Sequence, residues 1–311
     1  MPLTHSRLRS VTIALLGSLL GALALSSAAD AAKTKTVAAE LRVVDGKGRV
    51  LAEQTQYTGA ALSVKTDPKA TCFGPDDGGS GNEVEIPAPS ALSLLADAGA
   101  ADRDVRPLSI TDAFSFGLGL CGIGKATAPA TGFWSLKVDH AASMTGGDST
   151  GVAAGDDVLW YLVSDFNEPP PAELVLKAKQ ATGGEIPVRV FAYGDDGVKA
   201  PAVGASVSGA EEPTDADGRT TVAADEDVVD LTANLDGAIP SNEIAVCTVK
   251  APKCPAGYAG LVAGTAGKDK VDVGSEPVTV KCGAGKDVVR VSRKSTDLVK
   301  LKGCEKVKEV K

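Results

Sequence analysis

Apolar residues along this chain occur in short runs that alternate with polar residues and are separated by glycine- and proline-containing turns. In the first part of the chain, four runs have the length and period of β-strands: 37–44, 60–65, 133–139 and 157–163. One segment differs, because Ser90 can cap a helix in which Leu92, Leu95 and Ala96 share a face. The pattern predicts a small α+β domain over residues 36–166.

A second strand-rich stretch follows a linker at residues 167–173. The linker contains three consecutive prolines, Pro169 to Pro171, which favour a stiff extended backbone. Over residues 174–250, strand-length runs occur at 188–193, 205–207, 219–222 and 228–233, with turns between them. This stretch is typical of a β-sandwich.

A nine-residue period begins at Gly264, after a second linker at residues 251–260. The eighth position of each repeat is apolar: Val271, Val280, Val289, Leu298 and Val307. In a β-roll, nine residues supply a turn and a short strand, and two repeats complete one coil. We therefore expect a short β-roll over residues 261–311. The predicted fold class is mainly β and multidomain: an α+β domain, a β-sandwich and a β-roll.

The first 31 residues have the features of a signal peptide. Arg7 and Arg9 precede an apolar run at residues 11–25, and Ala29-Asp30-Ala31 offers small residues for cleavage after Ala31. A membrane anchor is the alternative, but a membrane-spanning helix needs roughly 20 apolar residues. We expect a secreted or cell-surface protein with no transmembrane span in its mature form.

Six cysteines follow the predicted cleavage site, and an even number in an exported chain indicates disulfides. Order along the chain suggests that each pair lies within one domain. A zinc site is the competing interpretation, but no Cys-x-x-Cys pair is present and the mature chain has one histidine. The suggested pairs are Cys72 with Cys121, Cys247 with Cys254, and Cys282 with Cys304.

Charge is unevenly distributed. Cleavage after Ala31 leaves 30 basic and 39 acidic residues, a net charge of −9. Nucleic acid is therefore an improbable partner, because its backbone must be neutralised by basic side chains. Residues 195–236 carry eleven acids and two bases, whereas residues 286–311 carry nine bases and four acids. Both segments are typical of solvated surfaces, although the basic tail is also suited to an anionic cell wall.

Catalytic groups are scarce. His140 is the single histidine after the cleavage site, and it follows a strand-like run without a Gly-x-Ser-x-Gly nucleophile motif elsewhere. We expect His140 to lie at the end of a strand, and we do not expect an enzyme. Carboxylates are plentiful but cannot be paired from the sequence, so an exported carboxylate-dependent hydrolase remains an alternative.

Three segments of the first domain carry a family resemblance. Ser-Ala-Leu-Ser-Leu-Leu from Ser90, Gly-Phe-Trp-Ser-Leu-Lys-Val-Asp from Gly132 and Gly-Asp-Asp-Val-Leu-Trp-Tyr from Gly155 occur in this order. Together they resemble the β-grasp domain of unknown function related to the C-terminal domain of transcobalamin. The resemblance implies binding of a ligand or polymer, with cobalamin as a candidate. We expect Trp134 and Trp160 to lie in the core.

The second domain carries a shorter resemblance. Residues 214–219, Thr-Asp-Ala-Asp-Gly-Arg, resemble a turn of bacterial immunoglobulin-like and carboxypeptidase regulatory-like sandwiches, which implies a spacer or adhesion unit. Calcium is the alternative for this Asp-x-Asp-Gly segment. We expect a hairpin turn, because no glutamate follows at the twelfth loop position.

The third domain resembles the hemolysin-type (RTX) calcium repeat at two segments 18 residues apart, which begin at Gly264 and at Cys282. The resemblance implies that Asp269 and Asp287 share a calcium ion. Lys268 and Lys286 bring positive charge close to that ion, so we expect a degenerate roll that has no cofactor and is fastened by Cys282 and Cys304.

These features favour a non-catalytic secreted or cell-surface protein of binding or adhesion type. Its partner is an unidentified extracellular ligand or a cell-envelope polymer. The alternatives are a small-molecule carrier for a cobalamin-like ligand and the carboxylate-dependent hydrolase.

Overall fold

The computed structural model describes residues 36–72, 74, 76–249 and 253–311. The predicted signal peptide and its cleavage site lie outside the described residues. The prediction of a mainly β fold is confirmed. Where the exact domain boundaries fall stays a prediction, and the names first, second and third region are used below for residues 36–166, 174–250 and 261–311.

The first region contains ten strands and one helix. They are β1 Val37–Val44, β2 Val50–Thr58, β3 Leu62–Lys65, β4 Glu83–Ile86, α1 Ala91–Ala101, β5 Leu108–Thr111, β6 Gly119–Ile123, β7 Ala126–Thr127, β8 Phe133–Val138, β9 Ala141–Ala142 and β10 Asp157–Val163. The main sheet has the order β2–β1–β10–β8–β9, and its central strands β1 and β10 are parallel. Strands β3 and β4 form a hairpin, and β5, β6 and β7 form a small separate sheet.

Helix α1 begins where the sequence predicts it. Ser90 accepts a hydrogen bond from the Ser93 amide, and Ser93 Oγ accepts one from the Ser90 amide, so the two form a reciprocal cap. The apolar face of the helix joins one face of the main sheet in a single buried cluster, which includes Leu41, Leu95 and Trp160. The other face of the sheet carries buried charged residues such as Arg42 and Lys137 beside a second apolar cluster that includes Val44 and Tyr161.

The second region is built around one long strand. Its elements are β11 Glu173–Ala178, β12 Glu185–Tyr193, β13 Lys199–Pro201, β14 Ser206–Val207, β15 Arg219–Ala223, β16 Val228–Leu231, β17 Ala233–Asn234 and β18 Ile244–Cys247. Strand β12 pairs antiparallel with β11, β13 and β15, while β14 pairs with β17 and β16 with β18. Residues of these strands enclose an aliphatic core of their own, in which Leu174, Ile186 and Leu231 are fully buried.

The segment 214–219 forms a turn closed by its own side chain. Asp215 Oδ1 accepts hydrogen bonds from the amides of Asp217 and Arg219, both at 2.8 Å. The two backbone bonds between Asp215 and Arg219 and between Gly218 and Asp215 complete the turn. The Asp215 side chain therefore stabilises the backbone of a tight turn. This turn is not the predicted hairpin, because the strands on either side pair elsewhere, β14 with β17 and β15 with β12.

The third region winds in parallel coils. Its elements are β19 Leu261–Ala263, β20 Lys270–Gly274, β21 Thr279–Lys281, β22 Val288–Ser292, a 3₁₀ helix Arg293–Leu298, β23 Lys300–Lys302 and β24 Lys306–Val310. Strands β20, β22 and β24 form one parallel sheet, and β19, β21 and β23 belong to another. Val271, Val289 and Val307 lie in register, 18 residues apart, as the period predicts.

The period breaks at one predicted strand position. Leu298 is not in a strand, because residues 293–298 form the 3₁₀ helix. The next strand is displaced, so Val280 pairs with Leu301 and not with Leu298. The prediction for Leu298 is therefore wrong, and the extra residues of the helix are the reason.

The third region extends the main sheet of the first. Strand β19 pairs in parallel with β2, with Val262 opposite Thr55, which gives an eight-stranded sheet of order β23–β21–β19–β2–β1–β10–β8–β9. Tyr57 of β2 packs among the valines of the roll, and its hydroxyl accepts a hydrogen bond from the Asp272 amide. The sequence did not predict β2, although this strand links the two regions.

Three disulfides are present, which confirms the prediction that the cysteines are oxidised. They join Cys72 to Cys121, Cys247 to Cys254 and Cys282 to Cys304, the pairs that order along the chain suggests. Such cross-links are compatible with an extracellular protein. Within the described residues, no helix has the length and apolar character needed to cross a membrane.

Candidate functional site

Asp269 and Asp287, the predicted calcium ligands, lie on one edge of the roll, one coil apart. Asp269 accepts hydrogen bonds from the amide and hydroxyl of Thr265, and its own amide donates to Asp287 Oδ1 at 2.8 Å. The Asp287 amide donates in turn to Glu305 Oε2 at 2.8 Å. Asp287 and Glu305 therefore each satisfy a backbone amide of the preceding coil, and Asp269 satisfies the Thr265 amide in its own turn, which is a structural use of these side chains.

Both carboxylates are buried, whereas Lys268 and Lys286 point to solvent. Burial and the neighbouring Asp287 raise the pKa of Asp269 against the hydrogen bonds from Thr265. Asp287 Oδ2 is buried and accepts no hydrogen bond from the described residues. Calcium binding by this pair stays a prediction.

An apolar pocket of about 170 Å³ lies in the first region, beside the start of helix α1. Its walls come from the helix, from strands β8 and β10, and from the segments around residues 114–120 and 145–147. The main apolar side chains that line it are Leu92, Phe114, Phe116, Leu118, Trp134 and Trp160.

Both tryptophans of the chain are buried, as expected for core residues, and both also line this pocket. Trp160 Nε1 donates to the carbonyl of Ala91 at 3.4 Å. Trp134 is 7% exposed, and its Nε1 donates to no acceptor among the described residues. A buried indole N–H without an acceptor costs free energy that a ligand oxygen can recover.

Phenylalanine side chains form the outer rim of the pocket. The rings of Phe114 and Phe116 are stacked with their centroids 5.1 Å apart, and Phe116 is 75% exposed. Gly147 closes the inner end, because a Cβ atom at this position would lie 2.5 Å from the Trp160 ring. The loop therefore needs glycine to approach the indole this closely.

A second, polar cleft of about 480 Å³ lies on the opposite face of the main sheet, next to strand β11. Arg42 is buried there and pairs with the fully buried Glu173. The same guanidinium donates to the carbonyls of Leu174 and Pro240, at 3.2 and 2.7 Å. Six further ionisable residues line the cleft: Glu40, Glu53, His140, Asp157, Lys177 and Glu243.

His140 lies in the two-residue turn between β8 and β9, directly after the strand. Asp139 and His140 have φ values of 49° and 69°, which is the left-handed pair that a type I′ hairpin requires. This turn places His140 Nδ1 3.2 Å from Glu173 Oε1. The hydrogen bond to Glu173 raises the pKa of His140 against the effect of burial.

Burial also perturbs the carboxylates of the cleft. It raises the pKa of Glu53 to about 7, although Arg42 and a hydrogen bond from the Glu243 amide oppose the shift. Burial raises the pKa of Glu40 and of Asp157 as well. A cleft that gathers several perturbed groups is a candidate functional site.

Sequence reasoning missed this cleft because its members come from separate strands. Only the strand register brings them together: Glu40 is opposite Asp157 across β1 and β10, and Arg42 is opposite Glu53 across β1 and β2.

Comparison with known proteins found no matching family model, no matching curated protein and no matching solved structure.

Proposed function

We propose that the protein is a secreted, non-catalytic binding protein and that the apolar pocket of the first region holds part of its ligand. The observation that carries this proposal is the set of aromatic walls, with two buried indoles and an exposed phenylalanine at the rim. Among the described residues, no titratable side chain lines the pocket. Binding sites for small molecules are commonly apolar clefts with few polar groups, whereas catalysis needs groups that transfer protons or attack the substrate.

The size of the pocket indicates the size of the group it takes. A cavity of about 150 Å³ holds a benzene-sized molecule, so about 170 Å³ accommodates one ring with a small substituent. Apart from the indole N–H groups, Thr145 supplies the one polar side chain among the described residues of the lining, which disfavours a sugar with many hydroxyls. The ligand class is therefore an apolar or aromatic ring that carries one hydrogen-bond acceptor for Trp134.

Cobalamin is the alternative ligand that the family resemblance implies. A corrin macrocycle is much larger than the pocket and would have to contact its rim at Phe116. Calorimetry and absorption spectroscopy with cobalamin test this alternative, and the absence of both heat and a spectral change would remove it.

Fluorescence tests the proposal directly, because both tryptophans line the pocket. Titration with toluene and p-cresol should change the tryptophan emission in a saturable way, with p-cresol bound more tightly if its hydroxyl oxygen accepts from Trp134. Phe116→Ala should weaken binding about five- to tenfold by removing an apolar wall.

Phe166→Ala is the matched control, since Phe166 is 56% exposed and does not line the pocket. It should leave the affinity unchanged. Absence of saturable binding for both probes, or an equal loss of affinity in the two variants, would contradict the pocket as the ligand site.

The polar cleft is the specific observation that favours the hydrolase alternative. Glu53, with its pKa at about 7, is suited to donate a proton at neutral pH, and Glu40 and Asp157 line the same cleft. Hydrolysis of a polysaccharide from a panel, lost in Glu53→Gln, would establish an enzyme. No turnover of any member of the panel would leave the binding role.

Association with the cell envelope is a further part of the proposal. The basic residues of the third region include Lys300, Lys302, Lys306 and Lys308, all exposed on strands β23 and β24. An exposed basic surface attracts an anionic polymer in a salt-dependent way. Changing these four lysines to glutamine should abolish low-salt binding to isolated cell walls, and retention equal to the unchanged protein would remove this role.

A further inference from the structure

Three potential metal ligands meet at the polar cleft, each from a different segment: His140 and Asp157 line the cleft, and Glu173 is buried next to it. His140 lies in the turn after β8, Asp157 begins β10, and Glu173 begins β11. One ligand atom from each lies within 4.8 Å of the other two, and this is the one such group of three among the described residues. The contact joins the first region to the second.

One oxygen of Glu173 lacks a hydrogen bond. Oε1 accepts from Arg42, and His140 Nδ1 is 3.2 Å away from it. The Glu173 side chain is fully buried, and its Oε2 accepts no hydrogen bond from the described residues. A buried carboxylate oxygen without a donor costs free energy, and a cation at this position would remove the cost.

Charge around the group favours a cation. Asp157 lines the cleft with Glu40, Glu53 and Glu243, and Glu173 is buried beside it, so these five carboxyl groups outnumber the two permanent positive charges of Arg42 and Lys177. Arg42 is also held by two backbone carbonyls and donates to Oε1 of Glu173, so this pairing leaves Oε2 without a donor. A ligating carboxylate is commonly held in this way by a second partner.

The ligand set indicates the kind of ion. One imidazole and two carboxylates suit zinc and its first-row neighbours, whereas calcium and magnesium take oxygen ligands alone. Ligand atoms about 2.1 Å from one tetrahedral ion lie roughly 3.4 Å apart, so the side chains need shifts of about 1 Å to close around it. Three protein ligands would leave one coordination position open to the cleft.

We propose that His140, Asp157 and Glu173 form a binding site for a divalent transition-metal ion, and that this site joins the first and second regions of the protein. The proposal does not rest on the apolar pocket, which lies on the other face of the main sheet.

The test uses the full mature chain with its disulfides intact, first stripped of metal with a chelator. Calorimetric titration with Zn²⁺ should give one ion per chain, and Co²⁺ should give visible absorption bands that Zn²⁺ displaces. His140→Asn keeps the left-handed turn, because asparagine adopts positive φ readily. This variant and Asp157→Asn should each weaken Zn²⁺ binding at least tenfold.

Asp236→Asn is the control, since Asp236 is exposed and is not one of the three ligands. Asp269→Asn controls for an ion held by the roll. Both should bind Zn²⁺ as the unchanged protein does. The proposal is overturned if no stoichiometric binding is detected, or if His140→Asn and Asp157→Asn, folded by circular dichroism, keep the full affinity.

Discussion

Buried charged side chains, and not apolar ones alone, connect the first two regions. Lys137 is fully buried on β8, and its Nζ lies 3.1 Å from Asp195 Oδ1 and 3.2 Å from the carbonyl of Gly194. Arg42 and Glu173 form a second such pair. Removing one partner of a buried pair leaves an uncompensated charge, so we expect loss of either partner to destabilise the contact between the two regions.

Asp97 shows the opposite situation, a buried acid without a basic partner. It lies on α1 and is buried, and its Oδ2 accepts no hydrogen bond within the described part of the chain. Burial raises the pKa of Asp97 to about 7 against the hydrogen bond from Thr58. Because the folded protein favours the protonated acid, the contribution of Asp97 to the free energy of unfolding is greatest below about pH 4. This contribution falls as the pH rises from about 4 to about 7.

We therefore expect Asp97→Asn to stabilise the protein at pH 8 by on the order of 1–3 kcal/mol and to have little effect at pH 4. Denaturant unfolding at both pH values, in a buffer with chelator, measures the difference. Asp236→Asn changes an exposed acid and serves as the control. The same change in stability at both pH values would show that ionisation of Asp97 is not its cause.

At the scale of elements, the local pattern predicts strands whose polar and apolar residues alternate. Strands β1 and β10 have the predicted bounds, and α1 has the predicted cap. The sequence pattern did not predict strand β2, because two of its buried positions are the polar residues Gln54 and Gln56. Gln56 donates to the carbonyls of Tyr57 and Gly264, and such partners cannot be seen in the sequence.

A disulfide between Cys282 and Cys304 joins two coils of the roll. Cys282 and Cys304 are 22 residues apart, whereas Cys247 and Cys254 are 7 apart. Since a longer loop loses more entropy when it is closed, changing the first pair to alanine should cost about 3 kcal/mol and the second about 2 kcal/mol.

Denaturant unfolding of the two double variants compares these losses. The second pair is the control for the general effect of removing a disulfide. A smaller loss for the pair in the roll than for the short loop would contradict an entropic role for Cys282 and Cys304.

At the scale of the molecule, the roll completes the first region. Strand β19 covers the edge of β2, and Tyr57 is buried among roll valines such as Val271 and Val289. An exposed strand edge with apolar neighbours promotes aggregation. The roll is therefore a structural partner of the first region in addition to any contact with the envelope.

A chain that ends at Pro255 should accordingly be less soluble than the full chain, and the amides of residues 50–58 should exchange hydrogen faster. Hydrogen exchange with mass spectrometry measures this. Residues 185–193 of β12 are the internal control, because they pair only within the second region. Unchanged exchange in residues 50–58 would show that the first region does not need the roll.

The sequence by itself determined the features that depend on near neighbours. These are the strand pattern of β1 and β10, the cap of α1, the Asp215 turn, the period of the roll and the pairing of the cysteines. Each follows from side-chain alternation, from local hydrogen bonds or from the even number and order of the cysteines.

Only the tertiary structure decided the features that depend on distant residues. Arg42 and Glu173 are 131 residues apart, and Gln56 and Gly264 are 208 apart. The continuous sheet, the apolar pocket and the metal-binding group all require such contacts, because a strand's pattern shows which face is buried but not which partner buries it.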